Sequence, residues 1–127
     1  SGPWAETVAE WESGNTAYTT EGAESFDEIA KRVRAAWDRV VEAHPGGRVI
    51  VVAHGVVVKV LLLTLLPGWG PSGWVKLGRV ANLSVTELVP EAGAWYAEPL
   101  LHVPEPVSKL TAGQPTGVGN PPVKSEA

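Results

Sequence analysis

Cysteine is absent from the 127 residues. Disulfides, thiolate nucleophiles and cysteine-ligated metals are therefore excluded, and a reducing, cytoplasmic setting is the expectation. There is no basic block: ten Lys and Arg stand against fourteen Asp and Glu, for a net charge of -4. That balance argues against nucleic acid and anionic membrane surfaces as partners. The three histidines are isolated, without carboxylates at ligand spacing, so no metal site and no cofactor are expected. A membrane-spanning run is also missing. The longest apolar stretch, Val49 to Leu66, is interrupted by His54, Gly55 and Lys59, whereas a spanning helix wants roughly 20 apolar residues. A buried strand followed by a buried helix explains that stretch better. Ser1 to Gly14 is polar and Trp-bearing, unlike a signal or an anchor. Ser1 rather than Met stands first, which reads as a piece of a longer parent.

What is present is the composition of one soluble globular domain, with 44% hydrophobic and 19% charged residues. Six Trp are many for this length and imply large buried anchors. Trp4, Val8 and Trp11 fall on one side of a short helix that Ser13-Gly14-Asn15 stops. Ser25 with Glu28 three residues on predicts a capping box. Behind it Ile29, Val33, Ala36, Trp37, Val40 and Val41 share one helix face, and Pro45-Gly46-Gly47 ends the element. Val49 to Val52 is an unbroken β-branched run, the pattern of a strand buried on both faces of a parallel sheet. Gly55 breaks it, and a helix from Val56 to Leu66 follows. Trp69 to Gly78 reads as a loop, with Lys59 as a snorkelling surface lysine. Asn82 to Val89 and Ala94 to Leu101 read as a hairpin around Pro90 to Gly93. From residue 103 to 127 Pro, Gly, Ser and Thr dominate, and a disordered tail or linker is expected after a domain over 1-102.

The stretch Val49-Ile50-Val51-Val52-Ala53-His54-Gly55 sets a histidine at the carboxyl end of a strand and the start of a helix. Ligands bind at that place in open α/β sheets. The unpaired amides of Gly55, Val56 and Val57 and the helix dipole favour an anion there. Position alone leaves a second reading open, in which His54 is partly buried and satisfied by a neighbouring carbonyl.

The wider order of motifs resembles the histidine phosphatase (phosphoglycerate-mutase-like) superfamily. Gly22-Ala23-Glu24-Ser25-Phe26 matches its G-x-E-S motif, and Val51-Val52-Ala53-His54-Gly55 matches the strand that ends in A-H-G. Asn82 to Thr86 and Trp95 to His102 resemble its following strands. The resemblance implies a layered α/β sandwich with a mostly parallel central sheet flanked by helices, here its C-terminal half. It implies phosphomonoester hydrolysis or phosphoryl transfer through a phosphohistidine, on a small phosphorylated substrate. His54 would take the place of the second histidine, which clamps the phosphoryl oxygens, with the Gly55 amide beside it and Glu24 at the pocket edge. The nucleophilic R-H-G motif of the family is absent, because no Arg here is followed by His. Val56-Val57-Val58 also stand where the family places small polar residues. A non-catalytic phosphate- or partner-binding fragment is therefore the alternative. A hydrophobic strand ending in His-Gly also resembles the oxyanion segment of α/β-hydrolases, but Gly70-Pro71-Ser72-Gly73 lacks the G-x-S-x-G spacing of their nucleophile elbow.

Overall fold

The computed structural model describes residues 2-105. The expected tail beyond residue 105 lies outside the described residues. Among the described residues four helices and one antiparallel hairpin follow in the order α1 (Pro3–Glu12), α2 (Phe26–Ala43), α3 (Gly55–Leu65), α4 (Trp74–Leu77), β1 (Leu88–Glu91) and β2 (Ala94–Ala97). A single 3-10 turn, Pro71–Gly73, runs directly into α4.

Helix α1 starts with Pro3 at its first position, where the missing N–H costs nothing and the fixed φ already suits a helix. It buries Thr7, Val8 and Trp11, close to the expected stripe. Helix α2 carries both halves of the predicted capping box. The Glu28 amide donates to the Ser25 hydroxyl at 3.1 Å, and the Ser25 amide donates to the Glu28 carboxylate at 3.0 Å. Ser25 is itself buried, so water cannot replace the lost acceptor. Ser25→Ala is expected to lower unfolding free energy by about 1 kcal/mol, read as a lower urea midpoint at unchanged slope.

The core gathers where α1, α2, α3 and α4 meet, around Val8, Trp11, Phe26, Ile29, Val33, Val60, Leu63 and Trp74. Trp11 touches Trp4, Phe26 and Trp74 edge-on, with ring centroids 5.7, 5.6 and 5.3 Å apart. Gly73 brings the start of α4 against this cluster, since a Cβ there would meet the Trp69 ring at 2.8 Å.

Three expectations change. Trp69 to Gly78 is not a plain loop: it supplies the 3-10 turn and α4, and Trp74 has no exposed surface. The run from Arg48 to Ala53 is in no ladder and is not buried, so it is not the expected covered strand. Ile50 and Val52 are 88% and 90% exposed. Its β-branched pattern correctly marks extended chain, but among the described residues nothing lies beside it to pair with. The only sheet among those residues is the antiparallel pair β1–β2, and a mostly parallel central sheet is not formed by them. The apolar face of α2 is fully buried only at its N-terminal end, through Phe26, Ile29 and Val33; Trp37 and Val40 are half-buried, and Ala36 and Val41 are exposed.

The hairpin is real but displaced from its expected limits. Glu91 pairs with Ala94 across the Ala92-Gly93 turn, and both turn residues have positive φ (51° and 82°). Asn82 and Leu83 form a turn before it. The ladder resumes at a Val85–His102 bridge, two residues out of step with β1–β2. Trp37 of α2 meets Trp95 of β2 edge-on at 5.0 Å, tying hairpin to helix. No helix among the described residues is long and apolar enough to cross a membrane.

Candidate functional site

His54 is the residue at which extended chain becomes helix. It is the N-cap of α3, with φ -73° and ψ 156°, and its carbonyl accepts from the Val58 amide at 2.9 Å. That geometry leaves the Gly55, Val56 and Val57 amides without intrahelical acceptors, at the positive end of an 11-residue helix. Gly55 is buried and His54 is exposed. The imidazole makes no hydrogen bond to the described residues. The reading in which a neighbouring carbonyl satisfies a buried His54 does not hold. What remains is a free donor and acceptor next to free amides, an arrangement suited to a tetrahedral oxyanion.

Glu24 sits before the Ser25 cap, and its carboxylate is engaged. Arg32 donates through Nε to Oε2 at 3.2 Å and through Nη2 to Oε1 at 2.8 Å. The guanidinium holds the Glu24 carboxyl below its ordinary range, so Glu24 presents negative charge already partnered by a fork-shaped cation. No hydrogen bond or ion pair among the described residues joins Glu24 to His54. Ser25 is spent as a helix cap.

Lys59 reverses its expected placement. It is 2% exposed, and its ammonium lies 4.6 Å from the centre of the Trp74 ring. Burial brings its pKa down to about 8, with the Glu12 charge opposing part of the fall. Glu12 in turn accepts the Val75 amide at 3.1 Å, so α1, α3 and α4 meet around this lysine. The signal was in the spacing: Val56, Lys59, Val60 and Leu63 share one face of α3.

His44 is the C-cap of α2, and His102 belongs to the bridge with Val85; both have structural positions. No group of three potential metal ligands occurs among the described residues. Ser72 lies in the 3-10 turn between two helices, not between a strand and a helix, so it forms no nucleophile elbow.

The family model of the histidine phosphatase superfamily (branch 1) matches residues 3–100. A protein of Mycobacterium tuberculosis described as bifunctional is 39% identical over 74 residues, which are 58% of this chain and 20% of that protein. A metal-independent phosphoserine phosphatase of Arabidopsis thaliana is 39% identical over 64 residues, 50% of this chain and 24% of the relative. The chain thus matches only a fifth to a quarter of the length of these relatives. No solved structure matches the chain.

Proposed function

Because the chain belongs to the histidine phosphatase superfamily, we propose that it supplies the second-histidine half of a phosphomonoesterase or phosphomutase site. In this reading the chain is the C-terminal part of the domain. His54 and the Gly55 amide bind the phosphoryl oxygens of a small phosphorylated substrate. A histidine of an R-H-G segment outside these residues attacks phosphorus, and the P–O bond to the leaving group breaks. An acid protonates that oxygen, and water then attacks the phosphohistidine to release phosphate. His54 donates to the oxygens on which charge accumulates in both steps. Glu24 contributes by holding Arg32, whose guanidinium rather than the carboxylate is the group suited to an anion. The activity named for the Arabidopsis relative makes phosphoserine the first substrate to test.

The observation that carries this reading is the unpartnered His54 imidazole at the N-terminus of α3, beside three amides without acceptors. The test is a titration of the 127-residue chain with inorganic phosphate, followed by NMR at the histidine imidazoles. His54 signals are expected to move saturably while those of His44 and His102 stay still. His54→Ala is expected to weaken phosphate binding about tenfold or more, the range for a charge-assisted hydrogen bond. Uniform or non-saturating shifts would remove His54 from the site. The same chain is expected to show no p-nitrophenyl phosphate hydrolysis above background, since it lacks R-H-G. Rapid turnover would place the nucleophile within these residues and overturn the assignment.

A further inference from the structure

The segment from Gly70 to Gly78, made of the 3-10 turn and α4, lies against α1 and α3 on few ties. Among the described residues its hydrogen bonds to the rest of the chain come down to one, from the Val75 amide to the Glu12 carboxylate at 3.1 Å. Its anchor is Trp74, which has no exposed surface and meets Trp4 and Trp11 with ring centroids 5.8 and 5.3 Å apart. Gly78 closes the segment at φ 83°, a backbone that other residues rarely take. A short element held by one side chain and one hydrogen bond belongs to the part of a fold that opens before the whole unfolds.

The anchor covers a charge. Lys59 is 2% exposed, its ammonium lies 4.6 Å from the Trp74 ring centre, and it makes no hydrogen bond or ion pair among the described residues. Trp74 Nε1 is also buried without an acceptor there. Closure therefore keeps water from an ammonium and from an indole N–H, and release returns both to solvent. Of the elements packed around Lys59, α1 offers Glu12, whose charge favours the protonated form. Helix α2 turns Phe26, Ile29 and Val33 to this core, and the 3-10 turn is uncharged. Lys76 of α4 reaches over the Trp69 ring at 5.4 Å instead. Burial outweighs Glu12, so the closed state disfavours the charged lysine.

We propose that residues 70-78 form a proton-operated latch: a protonated Lys59 favours release of the segment from α1 and α3, and a neutral Lys59 favours closure. The sign follows from the two states of the lysine. Closed, it titrates at about 8; released into water, it titrates near the ordinary 10.5. Below pH 8 both states hold the proton and the closed one bears the cost of burying it. As pH rises the closed state loses the proton first, so release becomes about tenfold rarer between pH 7 and pH 9. The latch closes on the flank of α3, the helix that begins at His54.

Native-state hydrogen exchange of the full chain, corrected for intrinsic rates at pH 7, 8 and 9, tests this. Protection of the Val75 and Gly78 amides should rise about tenfold over that range. It should stay below that of Val33 in α2 and respond less to low urea, because release exposes less surface than unfolding. Lys59→Met should give higher protection at pH 7 and no rise with pH. Lys76→Met, at an exposed lysine of the same segment, should keep the parent's rise. Flat protection in the parent, or a rise that survives Lys59→Met, overturns the proposal. Val75 exchange that matches Val33 in extent and in urea dependence overturns it too, because the segment would then open only with the whole domain.

Discussion

Trp11→Ala is expected to abolish cooperative unfolding of the helical core at 25 °C. Trp11 is 1% exposed and touches three other aromatic rings. Removing a buried Trp side chain costs about 3–5 kcal/mol when the cavity cannot collapse, and four rings in edge contact leave little freedom to collapse. The indole N–H also donates to the Tyr18 carbonyl at 2.9 Å, which holds the loop after α1 against the cluster. Leaving that carbonyl unpaired adds about 1–3 kcal/mol. A domain of this size has about 5–15 kcal/mol in total, and here part of the apolar face of α2 is uncovered, so the loss consumes most of it. Urea titration followed by far-ultraviolet circular dichroism reads the result. A variant that still unfolds cooperatively within about 1 kcal/mol of the parent would refute the aromatic-cluster account. Phenylalanine substitutions separate packing from hydrogen bonding. Trp74 Nε1 is buried without an acceptor among the described residues, so Trp74→Phe sacrifices no hydrogen bond. Trp11→Phe sacrifices one and is expected to be the more costly of the two.

The helices were legible because their signals are local. Ser25 and Glu28 announce α2 three residues apart, and the 3.6-residue period of Ile29 and Val33 fixes its buried face. The existence of the hairpin was legible from alternation, but its register was not. Leu83, Ala92 and Leu101 take positive φ without being glycine, so at those three positions no residue type announces the left-handed backbone. Helix α4 was hidden because four residues between Gly73 and Gly78 are too few to show a period. The run of β-branched residues at 49-52 fixes the conformation of the chain but says nothing about whether neighbours are there to cover it. Burial is a property of the partner as much as of the segment, which is why Ile50 could be read as core and yet lie 88% exposed. At the candidate site, the start of α3 at His54-Gly55 was legible from the break between strand and helix propensity. The Glu24–Arg32 pair was not, since eight residues of separation match no local rule.

Lys59→Met is expected to raise stability at pH 7, against the usual sign for changing a buried residue. The residue is 2% exposed and its ammonium makes no ion pair within the described residues; the Trp74 ring and the more distant Glu12 charge are its compensation. Burial lowers its pKa to about 8 from an ordinary 10.5. Below pH 8 both folded and unfolded chains carry the proton, and the folded state bears the full cost of burying the charge, on the order of 3 kcal/mol. As pH rises from about 8 to about 10.5 the folded state releases the proton first, so stability climbs and the cost is gone above that window. Methionine has a similar length and no charge. It forfeits a cation–π contact of about 0.5–2 kcal/mol and removes the desolvation cost, for a net gain of about 1–3 kcal/mol at pH 7. The gain should shrink toward zero by pH 10, because the parent catches up while the variant does not. Tyr18 acts in the opposite sense at the top of this range. Its hydroxyl donates to Glu6 at 2.7 Å, which raises its pKa above 10.0, and the stability it lends is lost only as pH passes that value. Differences between parent and variant should therefore be taken from pH 7 to about 9.5, by urea titration at each pH. Parallel pH profiles, or a variant less stable than the parent by more than about 1 kcal/mol at pH 7, would show that the charge on Lys59 is welcome where it lies.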